Sequence, residues 1–507
     1  MVLGFFGRER DYTPPHPRRE VEFDLPLNPQ SMITAFDNCV DFAQRPLFLG
    51  GDPKKPATLF TVVGMVKSER VNDYVLRPMS QDETLARVSM GEAYDLMLAG
   101  ALYNLTATRV STVDSAVAAM IEGSCLLLFP GMAEGLLCSV ATEEKRSVTA
   151  PQNEPAAKGA MDSFVESLRT NTSLVRRRLR APALKIKEQA VGRQTKTPVD
   201  ILYIEGIADL EIVRQAEKRL GEIDIDALLT AGELEQYLVD GSKTAFPLLP
   251  YTQRPDRFCT GLCEGRVGVL ADGLPIGYLL PGTLGAFFKT EQDKSDGWMV
   301  AAVTGILRYL CVLVTLFLPA IYVAAVTFSP EMIPTRLMLS IIAAKQNVPF
   351  STLFEVLIML AAFEVLQEAG LRLPASIGQT MSILGGLVVG TAAVEAKIVS
   401  PAVLIAVALA GIAGYTVPNR DFAGALRLWR FLLAVAAGVG GLTAVVLTAA
   451  ALLFHLAGLE TFGVSYLTPF AANAGGQVEG HAVVQTPLPS VKYRDPTLNT
   501  ENRRKQR

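Results

Sequence analysis

The stretch Ala301 to Phe328, AAVTGILRYLCVLVTLFLPAIYVAAVTF, decides how the rest of the chain is read. About 20 consecutive apolar residues at 1.5 Å rise span the ~30 Å hydrocarbon core of a bilayer, whereas helices of soluble proteins are usually shorter and striped. Its single charge, Arg308, lies near one end and can snorkel. Pro319 lies in the interior, where a bilayer helix re-satisfies the freed backbone groups. This run opens a block of long apolar segments between Met299 and Leu456, and charge is concentrated before Asp296 and after Lys492. A soluble module and a bilayer module therefore share one polypeptide. The formal net charge of -3 sums two unlike parts, so it says nothing about partners.

Three further runs read as firm spans, Ile377 to Ala396, Val399 to Val417 and Phe431 to Leu456. Gly386 and Gly390 give Ile377 to Ala396 a close-packing signal. Between the first and second spans lies PFSTLFEVLIMLAAFEVLQEAG, from Pro349 to Gly370, nearly long enough to cross but carrying Glu355, Glu364 and Glu368. At 100° per residue Leu357, Ala361, Glu364 and Glu368 share one face and Glu355 points away. Carboxylates facing lipid are costly, so this face turns to water, a partner helix or a pore. It reads either as the lining of an ion pathway or as an interfacial helix with solvated acids. The prediction is four firm spans plus an acidic amphipathic helix over 350–369. Charge bias leaves open whether that helix is a fifth span, and with it the side on which the C-terminus lies.

The soluble part reads as α/β in two subdomains. MVLGFFGRERDYTPPHPRRE is too charged and proline-rich for a secretory signal and predicts a flexible arm over 1–20, with the following domain on the cytoplasmic side. The first subdomain, 21–150, combines strand-like runs at 59–63 and 125–129 with a helix over 112–121. The tract over 151–197 reads as a basic linker, because within it residues 169–196 pack nine arginines and lysines against a single acid, Glu188. The second subdomain, 198–295, opens with strand 199–204, continues through helices over 208–220 and 231–239, and reaches a strand at 267–270 with Ala271-Asp272-Gly273 as its turn. Two α/β units of similar size leave a distant duplication open. The membrane domain is assigned to 296–470 and a polar tail to 471–507.

Arg176, Arg177 and Arg178 concentrate charge in the basic tract. Without interleaved aromatics the tract is a poor nucleic-acid platform, so no nucleic-acid partner is expected. A contact with acids of a neighbouring subunit, or with lipid headgroups, fits better. Cys39, Cys125, Cys138, Cys259, Cys263 and Cys311 are scattered, and Cys259-x3-Cys263 reads as packed thiols rather than half a zinc site. His16, His455 and His481 lie in the arm, at a span end and in the tail, which leaves no histidine-centred triad or metal cluster. Gly261, Gly265 and Gly268 lack the context of a dinucleotide fingerprint, and no phosphate-binding loop is present. No enzyme activity, metal or cofactor is expected.

LRTNTSLVRRRLR (168–180), GRQTKTPVDILYIEGIAD (192–209), FPLLPYTQRPDR (246–257) and EGRVGVLADGLP (264–275) together resemble the bacterial spore germinant receptor A subunits of the GerA family. LPAIYVAAVTFSPEMIPTRL, PFSTLFEVLIMLAAFEVLQEAGLRLP and the stretch from Gly378 to Ser400 extend the likeness into the membrane block. Asn72 to Pro78 is the matching passage nearer the N-terminus. The same block is shared by the related stage V sporulation AF protein, so the resemblance embraces both. It implies a subunit in the inner membrane of a bacterial endospore, with its N-terminal domain on the spore-core side. It also implies a transporter-like B subunit, a lipoprotein C subunit, and assembly of A subunits into a ring, proposed to be a pentamer, that acts as a nutrient-gated ion channel. A secondary transporter would instead place its site within one protomer and show matched interrupted helices. A structural membrane scaffold would tolerate neutralised acids without loss of ion flux.

Overall fold

The computed structural model describes residues 26–101, 106–141, 154, 158–239, 243–372, 390–468, 470, 487, 491 and 493–505. The chain divides into two compact units. One holds Met1–Gly241, Leu249–Gly282 and Pro489–Arg507, and the other holds Ser242–Leu248 and Thr283–Leu488.

The first unit is built on two antiparallel sheets. Strands β1 (Phe42–Phe48), β2 (Pro56–Val62), β3 (Ala107–Val110), β4 (Ser124–Leu128) and β5 (Gly135–Ser139) are ordered β1-β2-β4-β5-β3. Strands β6 (Leu184–Val191), β7 (Thr197–Ile204), β8 (Tyr251–Thr252), β9 (Val267–Ala271) and β10 (Gly277–Leu280) are ordered β6-β7-β9-β10-β8. Each sheet thus runs first, second, fourth, fifth, third, the repeated topology expected of an internal duplication.

Side-chain alternation explains the first sheet. Leu59 and Leu127 face each other across β2 and β4, as do Phe60 and Leu126. Because successive side chains point to opposite faces, Leu59 and Leu127 join Val75 and Met79 in one core, while Phe60 and Leu126 join Val113 and Met120 in another. Helices start where the sequence supplies caps. Thr112 accepts from Ser115 N ahead of helix Val113–Ile121, and Asp209 accepts from Glu211 N ahead of helix Leu210–Glu222. Each such cap contributes about 1 kcal/mol.

The second sheet buries Leu184, Ile186, Leu202 and Leu270 beneath Val175 of helix Leu168–Arg178 and Phe258 of helix Pro255–Cys263. Gly268 in β9 lies under the Phe258 ring, where a Cβ would come within 2.2 Å of Cζ. The predicted linker is corrected here, because residues 158–197 are folded into the second subdomain and supply helix Leu168–Arg178 and edge strand β6. Part of the predicted tail is folded as well. Arg494 Nε donates to Cys263 O at 2.7 Å, Glu501 N donates to Ile207 O at 3.2 Å, and Leu498 is buried.

In the second unit, helices Trp298–Thr327 and Arg420–Ala457 are long and apolar enough to cross a membrane. They pack against each other and both against helix Thr352–Arg372, and Trp298–Thr327 also packs against helix Pro401–Gly414. Pro401–Gly414, where a span over 399–417 was expected, is about 21 Å long, short of a ~30 Å hydrocarbon core. The expected span over 377–396 lies largely outside the described residues. Arg308, predicted to snorkel, instead pairs with Asp293 through two hydrogen bonds of 2.6 and 2.7 Å. The chain breaks helical geometry at Gly440 and Gly441 inside Arg420–Ala457.

Candidate functional site

Helix Thr352–Arg372 carries the acidic face singled out from the sequence. Ser351 Oγ accepts from Phe354 N at 3.5 Å and marks its start. Val356, Met359 and Leu360 form its buried stripe, while Phe354, Ala361, Val365 and Glu368 are exposed. Of the four predicted lining residues, Ala361 and Glu368 therefore lie on the outer side, and Leu357 and Glu364 are half-buried at its margin.

Glu364 is not a freely solvated acid. Its two carboxylate oxygens accept from Arg427 Nη1 and Arg430 Nη2, each at 3.1 Å, and Arg427 Nη1 also donates to Gln367 Oε1 at 2.6 Å. Arg430 is 3 % exposed, so the desolvated guanidinium requires a nearby anion. Glu364 supplies it and ties helix Thr352–Arg372 to helix Arg420–Ala457.

Glu355 points to the other side, as the helical wheel requires, and is fully buried. Its Oε2 accepts from Ser400 N at 2.8 Å, at the N-cap of helix Pro401–Gly414, where the positive end of the helix dipole favours a carboxylate. Its Oε1 lies 3.4 Å from Lys345 Nζ, and Lys345 also donates to Thr352 Oγ1. Glu355 thus joins three helical segments.

A second constellation lies in the first unit. Arg176 donates from Nε and Nη2 to the two oxygens of Asp41 at 3.0 and 2.9 Å, and from Nη1 to Leu184 O at 2.9 Å. Arg178 donates to both oxygens of Asp162. Arg176 and Arg178 are therefore spent within the chain. The expected contact of Arg176, Arg177 and Arg178 was with acids of a neighbouring subunit or with lipid headgroups; Arg176 and Arg178 instead meet acids of their own chain.

Beside the Arg176 pair lies a crowded acidic spot. Asp200 on β7 is directly opposite Glu188 on β6, and one guanidinium, Arg169, serves both. Burial pushes the Asp200 carboxyl up to about 7, with Glu188, Asp41 and Asp272 adding to the rise and Arg169 opposing it.

The sequence reading missed Arg427 and Arg430 as partners of Glu364, and Asp41 as the partner of Arg176. A signal for the first was available, since arginines three apart at the head of an apolar run call for an acid. Asp41 had none, because 135 positions separate it from Arg176.

The sequence pattern of the family described as Bacillus/Clostridium GerA spore germination protein matches residues 30–497. The chain belongs to this family. Among relatives of this GerA-family chain, the uncharacterized membrane protein YfkQ of Bacillus subtilis strain 168 is 37% identical over 451 residues, covering 89% of this chain and 86% of that protein. Spore germination protein B1 of the same strain is 35% identical and covers 89% of this chain and 92% of that protein. Spore germination protein KA is also 35% identical, over 85% of this chain and 79% of its own length. The crystal structure of the N-terminal domain of the A subunit of the Bacillus megaterium germinant receptor GerK3 aligns with a TM-score of 0.40 and 28% identity, over 49% of this chain and 91% of that one. The GerA-family chain is thus a member of the germinant receptor A-subunit family of spore germination.

Proposed function

We propose that the chain is the A subunit of a nutrient-responsive receptor in the spore inner membrane, acting with a transporter-like B subunit and a lipoprotein C subunit. Several A subunits form a ring whose axis conducts ions, and the subunit performs no chemistry of its own. The observation that carries the conducting role is the outer strip of helix Thr352–Arg372. Ala361 and Glu368 are exposed there, on the side of the helix away from its buried stripe of Val356, Met359 and Leu360. A ring of copies would bring this strip to an axis, with Leu357 and Ala361 as the narrow apolar part and Glu368 as the acid at its mouth.

Residues 493–505 return to the soluble unit, so the membrane unit begins and ends at the same body. That supports an even number of crossings rather than five. A secondary transporter is the second reading, favoured by the break at Gly440 and Gly441, since transporters place sites at interrupted helices.

Ion flux from vesicles holding the full chain with its partner subunits separates these readings. Under the channel reading, Ala361→Leu lowers flux and Leu357→Ala raises basal leak, while changes at Gly440 leave selectivity alone. Unchanged flux, selectivity and leak in both helix variants would remove Thr352–Arg372 from the pathway.

A further inference from the structure

The two oxygens of the buried Glu355 carboxylate have unlike surroundings. Oε2 accepts from Ser400 N at 2.8 Å and is fixed at the head of helix Pro401–Gly414. Oε1 is buried without a hydrogen bond among the described residues, and the Lys345 ammonium lies 3.4 Å from it. The same ammonium donates to Thr352 Oγ1, which sits three residues before Glu355 and so on the same face of the helix. A buried carboxylate without a counter-charge is strongly destabilising, so this position requires a cation.

Lys345 reaches the carboxylate from outside. It is the last residue of helix Thr335–Lys345, and its side chain keeps 28 % exposure against 0 % for Glu355. A lysine carries a compact charge on a flexible stem, so the ammonium can withdraw to water while Ser400 N holds Glu355 where it is. Withdrawal uncovers Glu355 Oε1 and Thr352 Oγ1. Ser400 adds a hydroxyl that is buried with no hydrogen bond of its own, beside the hydroxyl of Tyr322. Carboxylate and hydroxyl oxygens suit hard cations rather than transition metals. Among the described residues no group of three or more His, Cys, Asp or Glu is placed to hold a metal, and the single negative charge here matches a monovalent ion.

We propose that Glu355, Thr352 and Ser400 form a monovalent cation site which the Lys345 ammonium occupies as a tethered ion, and that potassium, a free cation of ammonium size, takes its place when Lys345 withdraws. The exchange leaves the charge at the site unchanged, so helices Thr352–Arg372 and Pro401–Gly414 stay joined with either occupant. The site lies within one protomer, on the side of the helix away from Ala361 and Glu368. The inference goes beyond the conducting role and does not depend on it.

The test uses the full chain in detergent at pH 8 and follows its thermal unfolding midpoint in potassium chloride and choline chloride at one ionic strength. The parent midpoints in the two salts should agree within about 1 °C, because the tethered ammonium competes for the site. Lys345→Ala should unfold at a lower temperature in choline and gain about 3 °C or more in potassium, saturably, once the ion exceeds its Kd about tenfold. Lys345→Gln, which keeps most of the stem without the charge, stands in if the alanine variant folds poorly. Adding Glu355→Gln to either variant should abolish the gain. Equal midpoints of the lysine variants in the two salts would overturn the proposal, because a proton rather than potassium would then replace the ammonium. So would a gain that survives Glu355→Gln, a gain in the parent as large as in the variants, or failure of both lysine variants to fold in potassium.

Discussion

Arg176 and Asp41 form an ion pair of 2.9 Å in which both side chains are almost wholly buried, at 0 % and 3 % exposure, and which bridges the two N-terminal subdomains. Around it the chain adds backbone pairing. Val40 N donates to Ile186 O at 2.9 Å and Ile186 N donates to Asn38 O at 3.0 Å, so residues 38–40 extend the second sheet beyond edge strand β6. Covering an edge in this way satisfies polar groups that would otherwise invite foreign strands.

Removing one member of that pair should be far worse than removing both. Asp41→Ala leaves a buried guanidinium uncompensated and is expected to cost about 3–5 kcal/mol, whereas Asp41→Leu combined with Arg176→Met should recover most of the loss. Chemical denaturation of the four members of the cycle measures the coupling. Additive losses would mean that the pair contributes nothing specific to the joint.

Asp200 should make the stability of the first unit depend on pH. Its carboxyl is raised to about 7 in the fold, chiefly by burial, against about 3.9 in an unfolded chain. The folded state therefore holds a proton that the unfolded state has released. The contribution is fully present below about pH 3.9, declines as the pH rises, and is lost once the pH passes about 7. It amounts to a few kcal/mol, on the order of 1.36 kcal/mol for each unit separating the two values. Asp200→Asn, which cannot ionise, should flatten the fall in unfolding free energy between pH 5 and pH 8. An equal slope in parent and variant would assign the pH dependence to other groups.

In the second unit the sensitive acid should be Glu364 rather than Glu368. Glu364→Gln leaves Arg430 desolvated without its counter-charge and is expected to lower stability in detergent by about 3 kcal/mol. Glu368→Gln, on the exposed side, should change stability by less than about 0.5 kcal/mol. Thermal unfolding of the two purified variants decides this, and equal effects would mean that Glu364 is not the anion on which Arg430 depends.

What the sequence disclosed follows from periodicity. The runs around Leu59, Leu126, Val199 and Val267 became β2, β4, β7 and β9, and the Ala301 run became helix Trp298–Thr327, because apolar patterning fixes element type wherever a face is buried. The basic tract misled for a physical reason. Like charges adjacent in sequence look solvated, yet helix geometry sends Arg176 and Arg178 in different directions to acids supplied by other parts of the fold. Arg169 likewise reaches Glu188 on β6 and Asp200 on β7. For the acidic helix, the wheel separated Glu355 from Glu364 correctly. It could not say that the half-buried margin of the face meets Arg427 and Arg430, since periodicity describes one helix and pairing depends on two.

The interruption of helix Arg420–Ala457 rests on backbone that only glycine tolerates. Gly441 has φ 58 and ψ -149, a region closed to residues with a Cβ, and Phe328 covers it so closely that a Cβ would approach its Cβ at 2.9 Å. Gly441→Ala should therefore cost about 1–3 kcal/mol through the backbone, with a further steric part from Phe328. Trimming the ring with Phe328→Ala removes only part of that steric penalty, so the double variant should stay less stable than Phe328→Ala alone. Gly440, at φ -133 and ψ 18, carries no such backbone restriction and should accept alanine at smaller cost, with Ala444 as the near neighbour that must shift. Unfolding of the four variants in one detergent provides the comparison. If Phe328→Ala fully rescues Gly441→Ala, crowding rather than backbone conformation is what reserves this position for glycine.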